Sequence, residues 1–184
     1  AAIVNRSGDL TAVHQTWIDS RPPHGKASVF HEGAKVSSKM VRGSKQGGVI
    51  PLITPKGADT LVMGEGIETT LSAYVARPAG YENAAYWAGV DLGNMAGRME
   101  KSGKRGTLSG LPDLTDEVAF VPPDWVRRLV FIMDGDSDPV RTRAQLESGL
   151  LRAMHFRPGI LAQIVQAGQG LDLNDVLVRA GGND

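Results

Sequence analysis

Short apolar segments alternate with amphipathic segments from residue 59 onwards, and this alternation limits the possible folds more than any other feature. The apolar segments predict strands over 60–63, 84–89, 129–133 and 160–165. The segments after them have apolar residues at helical spacing and predict helices over 67–75, from 92, over 140–153 and over 173–180. A strand–helix order repeated four times predicts the α/β class, with a mainly parallel sheet and helices on both faces.

Residues 1–57 differ from this pattern because they are β-rich and predominantly basic. Short strand candidates separated by turn residues predict a small antiparallel sheet. These candidates are 10–18, 27–30, 35–41 and 47–53. The basic residues are densest between Lys39 and Lys45. A solvated hairpin is the simpler explanation, and a surface that faces nucleic-acid phosphates is the alternative. We predict a basic β-rich subdomain over 1–57 and an α/β domain over 58–184.

Composition limits the classes of partner and compartment. Hydrophobic residues make up 41% of the 184 residues, which is enough for a packed core. The chain has no cysteine, which excludes disulfides and thiolate zinc sites and fits a reducing cytoplasm, our expected localisation. No apolar run approaches the ~20 residues that cross a membrane, so we expect no membrane partner. The chain begins with Ala1 rather than Met, and we expect it to be a piece of a longer protein.

Acidic residues follow two of the predicted strands at the point where each strand ends. Glu65 comes after 60–63, and Asp134 and Asp136 come after 129–133. Ligands of open α/β sheets bind at the carboxyl ends of strands, so neighbouring strands would bring these three carboxylates into one crevice. Carboxylates that close repel each other unless a cation lies between them, and such oxygen ligands suit Mg²⁺ or Mn²⁺. An Asp-rich solvated turn is the alternative interpretation of 134–138.

Three familiar motifs fit these segments poorly. An EF-hand loop would need glycine at Pro139 and glutamate at Gln145. A dehalogenase-type phosphatase would need Thr or Val at Asp138, which weakens that interpretation without excluding it. A P-loop within 97–105 fails because Arg105 replaces Ser or Thr and no apolar strand leads into it. We predict instead that the insertion at about 97–123 is a basic loop near the active edge.

A third acidic segment lies near the end of the chain. Asp172 and Asp175 follow the predicted strand 160–165 and could reach the same edge of the sheet. Capping of the last helix by Asp172 is the alternative explanation.

Taken in order, these motifs resemble the Toprim domain of bacterial-type primases, topoisomerases and small nucleases. The shared features are a strand that ends in Glu65-Gly66, a helix, and a later strand that ends in Asp134-Gly135-Asp136. Glu-Gly-Ile-Glu-Thr-x-Leu-Ser at 65–72 and Asp-x-Asn-Asp-Val-Leu at 172–177 resemble phage and plasmid primases or primase-helicases in particular. The resemblance covers about 59–180, and the basic front segment is similar, less specifically, to the segment that precedes Toprim in those primases.

This resemblance implies roles for the acidic residues. Glu65 would bind metal or act as a general acid/base, and Asp134 and Asp136 would be the Mg²⁺-binding pair, so all three would be catalytic. Asp172 or Asp175 would match a late acidic position and add a metal ligand. The implied cofactor is Mg²⁺ or Mn²⁺, as two ions. The sequence departs from the family at Asp138 and Pro139, which replace small residues, and Glu68 has no fixed role in the family plan.

The implied function is the catalytic core of a DNA primase, which makes RNA primers by metal-dependent nucleotidyl transfer. Its partners would be a single-stranded DNA template and ribonucleoside triphosphates, and a helicase module in the same or another chain is a further candidate. A Toprim nuclease with water as the attacker, and a non-catalytic module that binds nucleic acid or a protein, stay open as alternatives. The residues expected to hold template and triphosphate are Lys39, Arg42, Lys45, Arg98, Lys101, Lys104 and Arg105.

Overall fold

Twelve strands and three helices can be assigned in the part of the chain that the structure describes. The structure is a computed structural model. It describes residues 1–22, 24–103, 107–133, 138–166, 173 and 176–177. The first eight strands are β1 (Ala2–Val4), β2 (Leu10–Thr16), β3 (Ile18–Asp19), β4 (Gly25–Lys26), β5 (Val29–His31), β6 (Ala34–Val36), β7 (Lys39–Gly43) and β8 (Ile50–Ile53). The elements that follow are β9 (Thr60–Gly64), α1 (Ile67–Val75), β10 (Ala85–Ala88), α2 (Leu92–Ala96), β11 (Arg128–Met133), α3 (Pro139–Phe156) and β12 (Leu161–Gln166).

The largest sheet has five strands in the order β12-β11-β9-β10-β8. The first four run parallel, and β8 pairs antiparallel with β10 at the edge. The prediction of a mixed α/β fold with a mainly parallel sheet is therefore confirmed. The predicted closing helix over 173–180 falls almost entirely outside the described residues, although Leu173, Val176 and Leu177 are helical.

Residues on the central strands alternate between the two faces of this sheet. Leu61 and Met63 of β9 belong to one buried cluster, and Val62 belongs to a second. On β11, Phe131 packs in the first cluster and Ile132 in the second. Both faces are covered, which explains why these strands read as continuous apolar runs in the sequence.

Helices cover both faces, as predicted. Met95 of α2 and Leu146 of α3 pack in the cluster that contains Leu61. Ala73 and Tyr74 of α1 pack on the opposite face, against Val62. None of the described helices is long and apolar enough to cross a bilayer.

Asp138 has a local structural role at the start of α3. Its side chain accepts hydrogen bonds from the backbone N–H groups of Val140 and Arg141, at 3.0 and 3.2 Å. Pro139 follows in the first turn, where the missing N–H costs nothing. Asp138 and Pro139, two positions at which the sequence departs from the Toprim pattern that it resembles, therefore form a favourable helix start.

The front of the chain forms the predicted small antiparallel sheet, with strands in the order β1-β2-β7 and two short hairpins, β3/β4 and β5/β6. The assignment of 47–53 to this sheet was wrong for β8, which joins the large sheet through β10, although Val49 just before it forms an antiparallel bridge with Val4 of β1. Ile50 of β8 is buried together with Ile3, Ala12 and Ala88, so β8 fills the seam between the two sheets. The division of the chain at residue 57 stays a prediction.

The insertion between α2 and β11 is held by a buried arginine. Arg152 of α3 is 1% exposed and donates hydrogen bonds to the backbone carbonyl oxygens of Asp113 and Asp116. Within the insertion, Glu100 N–H donates to Leu111 O at 2.9 Å. The described part of the insertion is thus anchored on α3.

Candidate functional site

The connections of the large sheet reverse direction between β9 and β11. After β9, α1 crosses one face and leads to β10 on one side. After β11, α3 crosses the opposite face and leads to β12 on the other side. The loops that leave these two adjacent strands therefore diverge, and in open α/β sheets the crevice between such loops is where ligands bind.

The register of β9 and β11 brings their carboxyl ends to the same edge. Val62 pairs with Val130, and Met63 pairs with Phe131, in parallel. Extending this pairing by two residues sets Glu65 level with Met133. The sequence left open whether these two strands are neighbours, and the structure shows that they are. Six of the predicted site residues lie outside the described residues, so their roles stay predictions. They are Asp134, Asp136, Asp172, Asp175, Lys104 and Arg105.

Glu65 lines a cavity of about 580 Å³ between the front sheet and the edge of the large sheet. We call this cavity the Glu65 cleft. One wall comes from β2, β4 and β7 of the front, and the other comes from the first turn of α1 and the end of β10. Its polar lining includes His14, Thr16, Lys26, Lys39, Glu65, Glu68 and Thr69.

Thr70 fixes the turn that carries Glu65. Its Oγ1 accepts a hydrogen bond from Gly64 N–H at 3.2 Å and donates to Gly66 O at 2.8 Å. A Cβ at Gly64 would lie 2.8 Å from this oxygen, so position 64 excludes a side chain. A Cβ at Gly66 would meet no described atom within 4 Å outside its immediate neighbours, and this residue lines the cleft. The backbone is thus tightly packed before Glu65, at Gly64, and open after it, at Gly66.

Two lysines of the front converge on Glu68 of α1. Lys26 Nζ lies 2.8 Å and Lys39 Nζ 3.4 Å from the same carboxylate oxygen, Oε2. Burial raises the pKa of the Glu68 carboxyl, but the hydrogen bonds and charges of the two lysines outweigh it and hold this pKa below its ordinary value. Glu68 is therefore ionised at neutral pH and contacts lysines of both β4 and β7.

His14 lines the Glu65 cleft, where its imidazole lies within the electrostatic reach of Lys39. Burial, followed by the charge of Lys39, lowers the pKa of this imidazole from its ordinary value. Its Nδ1 lies 3.5 Å from Thr16 Oγ1. Partial burial beside a cation therefore favours a neutral imidazole in the cleft.

The loop after β10 carries backbone strain at the rim of the cleft. Val90 has a φ of 74°, in the left-handed region that β-branched residues rarely adopt. It lines the cleft, while Asp91 beside it caps α2 by accepting from Asn94 N–H at 2.9 Å. Strain of this kind costs about 1–3 kcal/mol and is concentrated at functional sites.

A second cavity, of about 500 Å³, begins at Asp91 and contains two of the predicted phosphate-binding residues. Lys45 pairs with Asp91 at 2.5 Å. Arg98 pairs with Asp113 at 3.2 Å and with the buried Asp116 at 3.7 Å. Lys45 and Arg98 thus have acidic partners and line a cavity next to the Glu65 cleft rather than the cleft itself.

The other predicted basic residues are distributed differently. Lys39 lines the Glu65 cleft. Arg42 is exposed on β7, where its Nε donates to Gln15 Oε1 at 3.1 Å, and Lys101 is exposed in the insertion. Of the described basic residues that we predicted, Lys39 is therefore the one that lines the same cavity as Glu65.

The residues present fit a divalent-cation site in part. Glu65 is half-buried, directly follows β9, which neighbours β11, and is itself followed by an open glycine. Within the described ranges, no three His, Asp or Glu side chains come together as a metal site requires. The ligands predicted to accompany Glu65 are those that lie outside these ranges.

Sequence reasoning missed two residues of the cleft, His14 and Lys26, and gave Glu68 no fixed role. Lys26 lies in a two-residue strand, and His14 has no metal-binding spacing. Glu68 had a local signal, because it is the acidic residue in the first turn of α1, but its lysine partners are 29 or more residues away. Comparisons with family models, with curated proteins and with solved structures found no match to the chain.

Proposed function

We propose that this chain is the Toprim-type catalytic core of a phage or plasmid DNA primase, which joins ribonucleotides on a single-stranded DNA template. The observation that carries the proposal is the adjacency of β9 and β11, whose parallel register pairs Met63 with Phe131. Extended by two residues, this register brings Glu65 opposite Met133. A Toprim site needs its glutamate and its Asp-x-Asp pair at neighbouring strand ends, and Asp134 and Asp136 follow Met133 directly in the sequence.

In this proposal the acidic residues hold divalent cations. Glu65, Asp134 and Asp136 bind Mg²⁺ or Mn²⁺, with Asp172 or Asp175 as an additional ligand. The bound cations would polarise the α-phosphate of a nucleoside triphosphate and lower the pKa of the attacking 3′-hydroxyl. Thr70 supports this role indirectly, because it fixes the backbone of the turn on which Glu65 projects.

The basic residues hold phosphates of the substrates. Lys39 lines the Glu65 cleft and would carry charge of the triphosphate, for which a lysine serves as a compact point charge. Arg42 on the neighbouring exposed face of β7, with Lys45 and Arg98 at the adjacent cavity, would follow the template backbone. Lys101, Lys104 and Arg105 of the insertion complete this proposed set.

Primer synthesis tests the proposal. The protein, in its full-length parent form as well as alone, is incubated with single-stranded DNA, four ribonucleotides and Mg²⁺ or Mn²⁺, and short RNA is resolved on a gel. We expect product with the wild type and none with Glu65→Ala. Glu82→Ala is the matched control. Glu82 is exposed and precedes β10, so it lies near the amino ends of the parallel strands, whereas Glu65 follows the carboxyl end of β9. Circular dichroism checks that both variants stay folded.

Two other results would replace the proposal. Cleavage of DNA in the absence of nucleotides, lost in Glu65→Ala, would identify a Toprim nuclease. DNA binding that is unchanged by Glu65→Ala, with no RNA made by the full-length parent, would identify a non-catalytic module. RNA synthesis that survives Glu65→Ala would remove this residue from the site.

A further inference from the structure

We infer that Glu68 is an internal counter-anion of the Glu65 cleft: it occupies the position between Lys26 and Lys39 that a phosphate group of the substrate takes, and a phosphate-bearing ligand displaces it. The inference rests on the proposed function for the identity of that ligand, a nucleoside triphosphate. Its physical basis, two lysines that converge on one exposed carboxylate inside a cavity, is independent of the polymerisation step.

The geometry around Glu68 is that of an anion site. The two ammonium groups come from different strands, β4 and β7, and both point at the single oxygen Oε2, at 2.8 and 3.4 Å. A phosphate oxygen can accept charge-assisted hydrogen bonds from two ammonium groups in the same way. Such bonds have similar lengths to phosphate and to carboxylate. The carboxylate of Glu68 therefore provides the contacts that a phosphate oxygen would provide.

Exposure makes Glu68 easy to displace. The side chains of Lys26, Lys39 and Glu68 are 46%, 38% and 50% exposed, so water competes for each of them. Ion pairs at this level of exposure contribute little to stability. Glu68 also lies in the first turn of α1, where an acidic side chain stays favourable for the helix after it has turned towards solvent.

The size and charge of the cleft favour a phosphate-bearing occupant. Its volume of about 580 Å³ is within the range of small-molecule sites. The cationic side chains that line the cleft are Lys26 and Lys39, which both contact Glu68, and the lowered pKa of His14 favours a neutral imidazole beside them. A triphosphate that enters would repel Glu68 and attract both lysines, so Glu68 would leave and the lysines would stay.

Binding of inorganic triphosphate, measured by isothermal titration calorimetry with EDTA present, tests the inference. Glu68→Gln should bind triphosphate several-fold more tightly than the wild type, and this gain should shrink as salt is added. Lys39→Ala should weaken binding, and in the double variant the gain from Glu68→Gln should fall. Glu82→Gln is the control, since it removes the same charge from an exposed glutamate outside the cleft and should leave affinity unchanged.

Glu68→Asp provides a second route if Glu68→Gln folds poorly. It keeps the charge but shortens the side chain, so it cannot reach both lysines, and it should also tighten binding. If both Glu68 variants bind triphosphate no better than Glu82→Gln, Glu68 is a structural tie between the front sheet and α1, and the inference is wrong. Because RNA synthesis is not part of this readout, tighter binding without any primer product would overturn the proposed function and leave the inference intact.

Discussion

Met63 of β9 and Phe131 of β11 lie side by side in parallel strands, and this pairing sets where the two strands end. Both side chains are buried in the same cluster, at 0% and 1% exposure, so a slip of one residue would turn them to the other face of the sheet. The register is therefore strongly determined by packing. It sets Glu65 level with Met133, on which the proposed site depends.

Gly64→Ala should destabilise the protein and disturb Glu65. The added Cβ would lie 2.8 Å from Thr70 Oγ1 and 3.2 Å from Thr70 N, and Thr70 is fully buried. We expect a loss of about 1–3 kcal/mol in the free energy of unfolding, measured with urea. Gly66→Ser, at the open N-cap position of the same turn, is the control and should cost less than 0.5 kcal/mol or so because serine caps helices well. Equal losses for the two variants would show that Gly64 is not constrained by Thr70.

Val90→Gly should stabilise the protein. Glycine adopts the φ of 74° without strain, and the relief should exceed the loss of a half-buried side chain by about 1 kcal/mol. Val118→Gly is the control: Val118 is exposed with an ordinary negative φ, so glycine there should be neutral or slightly destabilising. The free energy of unfolding of each variant is measured by thermal and urea denaturation. A destabilised Val90→Gly protein would mean that packing of the Val90 side chain outweighs its backbone strain.

Stability should fall as the pH is lowered through the range in which His14 titrates. The pKa of His14 is lower in the folded protein than its ordinary value of 6.5, so the unfolded chain binds the proton first. The stabilising contribution is complete above pH 6.5 and is lost as the pH falls from there through the folded pKa. The urea midpoint is measured from about pH 8 to about pH 5, a range that spans the ordinary pKa of histidine. It should decline less in His14→Gln than in the wild type. Parallel curves for the two proteins would contradict the prediction.

Protonation of Glu68 should cause a second loss of stability, at lower pH than that of His14. The folded pKa of Glu68 lies below its ordinary value of 4.5, so its contribution is present above pH 4.5 and disappears as the pH falls through the folded pKa. The side chain is half exposed, so this contribution should be small. In Glu68→Gln the urea midpoint should be slightly lower at neutral pH and should converge with the wild type in acid. A constant difference across the whole range would show that the lysine contacts are not its source.

Arg152→Met should loosen the insertion. The buried guanidinium donates to the carbonyl oxygens of Asp113 and Asp116, and methionine would leave both acceptors without this partner. We expect a loss of about 3 kcal/mol in the free energy of unfolding and faster proteolysis within 97–123. Arg143→Met removes an exposed pair with Glu147 on the same helix and should cost less than about 1 kcal/mol. Similar losses for the two variants would show that Arg152 does not anchor the insertion.

Local patterns account for the elements that were predicted correctly. Continuous apolar runs mark β9 and β11 because both faces of these strands are covered, and helical spacing marks α1 and α3. β8 was assigned to the wrong sheet because its four residues contain no signal for a partner. Its place at the edge beside β10 is decided by the burial of Ile50 against Ile3 and Ala88, which are distant in sequence.

The sequence by itself determined that the chain alternates strands and helices and that Glu65 stands directly after a strand, because apolar periodicity and turn residues act over a few positions. Only the tertiary structure decided that β9 and β11 are neighbours with diverging connections. It alone also brought Lys26, Lys39 and Glu68 together, since they come from three separate elements. Strand order and charge convergence depend on which buried surfaces pack against each other, and no local pattern of residues contains that information.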